Sequence, residues 1–175
     1  MNQKRIPDDV FLFAGYALAH AAYSISDVEE GELLIPFVLT EVDGKQTVRR
    51  FESESQADAI ASGKQYISRV KKSSDLWALA REGTMKTSEE TDVDVLVISA
   101  GQLDLTESLE VVQPFRPNRG RDEFAIFPHG IVAVGGEFED DEQSGRLFAI
   151  VKQGISYHPR AELWDIWQAR GAGIA

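Results

Sequence analysis

The chain has 175 residues, a formal net charge of −11, 43% hydrophobic and 27% charged residues, and no cysteine. This length and balance fit one folded, soluble domain spanning 1–175, which would bury about 70% of the surface exposed by the unfolded chain. The lack of cysteine excludes disulfides, thiolate nucleophiles, zinc–thiolate sites and iron–sulfur clusters and suits a cytoplasmic location, and 29 acidic residues against 18 basic ones argue against nucleic acid as a partner, because such binding draws on phosphate neutralisation.

The N-terminus pairs a basic start with an apolar stretch, the order of a secretory signal. Asp8 and Asp9 interrupt that order, and Tyr16, His20 and Tyr23 punctuate the apolar run. The spacing of Phe11, Ala14, Leu18, Ala21 and Ala22 instead predicts a helix over 8–24, capped by Asp8 or Asp9. No apolar stretch reaches the roughly 18 to 20 residues of a membrane span, so no membrane association is expected.

Residues 32–52 hold Asp43-Gly44, a dipeptide that tolerates the positive φ of a tight turn, between two β-rich runs. A β-hairpin is predicted, with Pro36 marking its first strand as an edge or a bulge because proline cannot donate to a ladder. Ser53 or Ser55 then opens a helix over about 55–72, with Ala59, Ile60, Gly63, Tyr66, Ile67 and Val70 as its apolar stripe. The segment 75–82 reads as a strand in preference to an extension of that helix. Five further strands are expected over 92–100, 108–117, 122–128, 130–138 and 145–154, joined by short polar or glycine-rich links as in an antiparallel meander. HPRAELWDIWQAR predicts a closing helix over 159–170, and GAGIA frays after it. The fold class is therefore α+β: a mostly antiparallel sheet of about six to eight strands, with helices on one face and the other face partly open. Such edges raise the prospect of self-association.

No phosphate loop, dinucleotide fingerprint, nucleophile elbow, zinc-protease helix or EF-hand ladder occurs, and no metal site or cofactor is predicted. Each histidine has an ordinary reading. His20 fits a partly buried helix residue bonded to a carbonyl, His129 a turn-former after Phe127-Pro128 and a weak acid/base candidate, and His158 a capping residue of the last helix.

Charge is uneven. Glu82, Glu89, Glu90, Asp92, Asp94, Asp104, Glu107 and Glu110 fall in one segment against the single base Lys86, and EFEDDE follows at 137–142. Such runs are solvated loops or docking surfaces for a basic partner, with Glu89, Glu90, Asp92 and Asp94 the candidates here. Asp92 and Asp94 also have the form of a D-x-D cation grip, though a solvent-facing strand start with Val93, Val95 and Val97 buried gives the same pattern. FRPNRGRDEF (115–124) brings together Arg116, Arg119 and Arg121. As a hairpin connection its arginines would neutralise nearby acids; as a ligand loop they would grip a small anion.

The expected function is that of a non-catalytic protein-binding domain, of adaptor or immunity type, docking a protein partner through its acidic surface. One alternative is a small enzyme or ligand-binding domain in which Arg116, Arg119 and Arg121 hold an anion beside His129. Another is a homo-oligomeric domain with no small ligand.

Overall fold

The computed structural model describes residues 6–174; the basic start, with Lys4 and Arg5, and the final Ala175 lie outside the described residues. The described residues form four helices and an eight-stranded antiparallel sheet: α1 (Asp8–Ile25), β1 (Phe37–Val42), β2 (Lys45–Arg50), α2 (Gln56–Val70), β3 (Leu76–Lys86), β4 (Asp92–Gln102), β5 (Leu109–Arg116), β6 (Ala125–Ile126), β7 (Ile131–Val134), β8 (Glu137–Phe138), α3 (Asp141–Ile155) and α4 (Ala161–Ala172). The strand order is β2-β1-β3-β4-β5-β7-β8, with β6 pairing beside β5. The fold is α+β, as the sequence pattern implies.

Asp43 (φ 50°) and Gly44 (φ 77°) make the two-residue turn that sets the β1–β2 register, Val42 opposite Lys45. Pro36 does not mark an edge. It stands one residue before β1, which is an interior strand between β2 and β3, and its carbonyl accepts the Phe51 N–H at 2.8 Å. The edge at this end of the sheet is β2, exposed along its length, as β8 is at the other. The strand expected from 75 runs on to Lys86 and pairs with β4 along its whole length. The stretch 130–138 divides into β7 and β8 around Gly135 (φ 62°) and Gly136 (φ 87°), and 122–128 forms a strand only at Ala125–Ile126.

The segment 145–154, read as a strand, is the middle of α3. Its buried residues Ser144, Leu147, Phe148, Val151 and Ile155 recur at helical spacing. Its start lies in the acidic run: the Asp140 side chain accepts the Gln143 N–H at 2.8 Å, and Asp141 and Glu142 sit in the first turn, where the helix dipole favours negative charge. Neither Asp8 nor Asp9 caps α1. Pro7 holds that position, and both acids lie in the first turn.

Helices cover both faces of the sheet rather than one. On the first face, α1 packs on Leu39, Ala78, Ala80, Leu96, Ile98 and Ala100, whose alternate positions point to one side. α1 is apolar nearly all round, which requires burial on several sides. α3 supplies the second wall. A methyl group at Gly15 would overlap the Val151 carbonyl, and one at Gly154 would overlap the Leu12 carbonyl, so the two helices touch backbone to backbone. On the second face, α2 covers only the β1–β3 region, packing Ile67 on Val38 and Leu79. Ser55 caps α2 by accepting the Asp58 N–H at 3.1 Å.

Candidate functional site

The arginine loop is the tip of the β5–β6 hairpin. Arg119 and Asp122 bridge each other, Gly120 takes φ 58°, and Asn118 closes the turn by accepting the Phe124 N–H at 2.9 Å. The three guanidiniums have separate surroundings. Arg116 donates twice to the Glu123 carbonyl, at 3.1 and 2.7 Å, and Arg119 pairs with Asp94 at 3.0 Å. Arg121 is exposed. Arg119 also acts on Glu82, whose carboxyl is pushed above its ordinary value chiefly by burial and, to a smaller extent, by Asp94, while the Leu34 N–H at 2.9 Å and Arg119 pull it down.

His129 is exposed on the sheet edge, between the Phe115–Ile126 and Val112–Ile131 pairs, so the register places it back along β5 from the arginines. Glu89 and Glu90 are exposed in the β3–β4 turn, where Glu90 takes φ 58°. Asp92 and Asp94 share one strand face but have different partners, Lys86 at 3.4 Å and Arg119 at 3.0 Å. Among the described residues, no group of three or more acids and histidines could hold a metal ion.

What the structure does bring together is His20 and His158. Nδ1 of His20 lies 3.3 Å from Nε2 of His158 across 138 positions of sequence. The rings of Tyr16 and Tyr23 approach His158 at 5.2 and 5.9 Å, and Phe37 stands perpendicular to His20 at 5.1 Å. The tautomers follow from one bond. The backbone N–H of Arg160 donates to His158 Nδ1 at 3.1 Å, so that nitrogen is an acceptor and the proton resides on Nε2. His158 Nε2–H then donates to His20 Nδ1, which leaves the His20 proton on its own Nε2. That Nε2–H is buried and has no hydrogen-bond partner among the described residues.

Both imidazoles are held below their ordinary value. Burial is the main cause for each; for His20 the charges of His158 and Arg50 add to it, and for His158 the pull of Arg160 is opposed by Glu162. The sign of the effect on stability follows. Depressed folded values mean that the unfolded chain binds more protons, so the pair's contribution is fully present above the unfolded value of 6.5 and is lost as pH falls below it. The melting temperature is expected to fall between pH 7.5 and 5.5, and His20→Gln is expected to flatten that slope; an equal slope in both proteins would assign it to other groups.

No helix among the described residues is long and apolar enough to cross a membrane. Comparison with protein-family models, with curated proteins and with solved structures gave no match.

Proposed function

We propose that the protein is a non-catalytic binding domain that docks a protein partner on the uncovered half of the second sheet face. One observation carries this reading. Met85, Val93 and Ile131, half-buried, stand in register around Val95, Val97 and Val112, which are buried although no helix among the described residues lies over them beyond the end of the α2 cover. A helix-free apolar sheet face of this kind, with half-buried side chains and polar groups at its margin, suits a protein partner. The Arg81–Glu110 pair, 3.5 Å apart, with Ser99 bonded to both, marks its border toward α2. Glu89 and Glu90, in the turn beyond Met85, place negative charge at one end, which suits a partner with an apolar strip and a basic flank. Asp94 lies on the opposite sheet face, paired with Arg119, and takes no part in this reading.

A second copy of the chain is the competing occupant. Lys45, Arg49, Arg50, Lys64, Arg69, Lys71 and Lys72 collect on β2, α2 and the turn after it, while Glu137, Glu139, Asp140, Asp141 and Glu142 collect at the other end of the strand order. Such opposite ends attract in a face-to-face pair.

The test is native mass spectrometry of the gently purified protein and of the double substitution Met85→Glu with Ile131→Glu, both at half-buried positions. Loss of a stoichiometric complex, with a shift of only a few degrees in melting temperature, is expected, because charge on the strip penalises docking far more than folding. A complex that survives the substitutions, or a chain that runs alone under the gentlest conditions, overturns the reading. The measured mass separates a foreign partner from a second copy. Glu89→Lys with Glu90→Lys is expected to slow association and weaken its salt dependence.

A further inference from the structure

A cleft of about 560 Å3 lies between the second half of α1, the connection from α1 to β1 and the end of β2. Its size falls in the usual range for small-molecule sites, about 300 to 1,000 Å3. It belongs to the first sheet face, since Arg50 pairs in register with the buried Phe37, and so lies across the sheet from the apolar strip.

Two polar groups here have no counterpart. His20 lines the cleft, and its Nε2–H, buried behind that lining, has no acceptor among the described residues; its tautomer is fixed by the His158 and Arg160 bonds, so it is a standing donor that a ligand entering the cleft could reach by displacing its cover. A buried polar group left alone in this way is costly, and an incoming acceptor would recover that cost. Among the described residues the other ring against His20 is Phe37, which is at best a weak acceptor. The Arg50 guanidinium, which also lines the cleft, forms no ion pair among the described residues. Its charge reaches the His20 ring. The rim is apolar and open to water: Tyr23, Leu33 and Ile35 are 40%, 51% and 41% exposed.

We propose that this cleft binds a small monocarboxylic acid with an apolar body, its carboxylate held between the His20 Nε2–H and the Arg50 guanidinium, its body lying on Tyr23, Leu33 and Ile35. A carboxylate supplies the acceptor that His20 lacks and the charge that Arg50 lacks, and a guanidinium matches its two oxygens. Asp27 and Glu32 also line the cleft. Their charge disfavours di- and tri-anions, which selects one carboxylate over a phosphate.

The test uses protein labelled with 15N at histidine, whose two-bond 1H–15N spectra report each ring tautomer, titrated with octanoate at pH 7.5. A saturable change at the His20 nitrogens is expected. 1-Octanol, with the same chain and no carboxylate, is expected to bind at least about tenfold more weakly, and Arg50→Gln, at an exposed position that leaves the fold intact, is expected to weaken octanoate by a similar factor. Absence of a saturable change at His20, equal binding of octanol, or unchanged octanoate affinity in Arg50→Gln each overturns the proposal. The same carboxylate could come from a peptide C-terminus. A tripeptide ending in leucine and its amide separate the sources: response to the free-acid peptide without response to octanoate overturns the small acid in favour of a chain end.

Discussion

Replacing Gly154 by alanine is expected to destabilise the protein by about 3 kcal/mol or more. A methyl group at this position in α3 would overlap the Leu12 carbonyl of α1, and the obstacle is backbone, which cannot turn aside as a side chain can. α1 is itself clamped between the sheet and α3, so the strain has no easy outlet. Against a typical total stability of about 5 to 15 kcal/mol, a loss of this size lowers the melting temperature by roughly 6 to 12 °C. Gly145→Ala provides the control. It lies in the same helix, is exposed and has nothing within 4 Å of the added carbon, so helix propensity alone predicts a gain of up to about 1 kcal/mol. Equal effects of the two substitutions in thermal or urea denaturation would show that the helices do not touch as described.

The second large effect is expected at Phe124, where alanine should cost about 3 to 5 kcal/mol. The ring is 1% exposed and lies 5.6 Å from Phe115 and 5.1 Å, perpendicular, from Trp167. It therefore joins the end of β5, the arginine hairpin and α4 at one point. α4 has further ties to this hairpin: Arg170 donates to the Phe124 carbonyl and pairs with Glu123 at 3.1 Å, and Gly171 rests against the Ile126 carbonyl. Tryptophan fluorescence and amide exchange should report α4 loosening before the sheet. If exchange in α4 stays as slow as in β4, another contact anchors the helix.

The parts of this fold that could be read from sequence are those set by local backbone rules. Asp43-Gly44 fixes its turn because few other dipeptides accept φ of 50° and 77° together, and the α2 stripe is periodic over fifteen residues. α3 is different. Leu147 to Val151 is a run of five apolar residues, too short and continuous for periodicity to separate helix from strand. The distinguishing signal lay just before it, in Asp140 as a cap and Asp141 and Glu142 in the first turn, a run whose charge also fits a solvated loop. Nothing in the chain announces that His20 and His158 meet, because 138 residues separate them and only the stacking of α1 on α3 brings their neighbourhoods together. Arg119 lay closer to view: the sequence offered nearby acids as partners, and the fold selects Asp94.

The burial of α1 sets an order of events during synthesis. This helix leaves the ribosome ahead of the elements that pack on it: β1 follows from Phe37, β3 and β4 only from Leu76 and Asp92, and α3, its closest companion, only from Asp141. Until then the most apolar helix among the described residues lacks the wall that α3 supplies. At about 5 to 20 residues per second, the nascent chain carries that exposed helix for several seconds or more. A chaperone that shelters short apolar segments should therefore find its main target in α1, and cells short of such a chaperone should lose this protein to aggregation before α3 arrives.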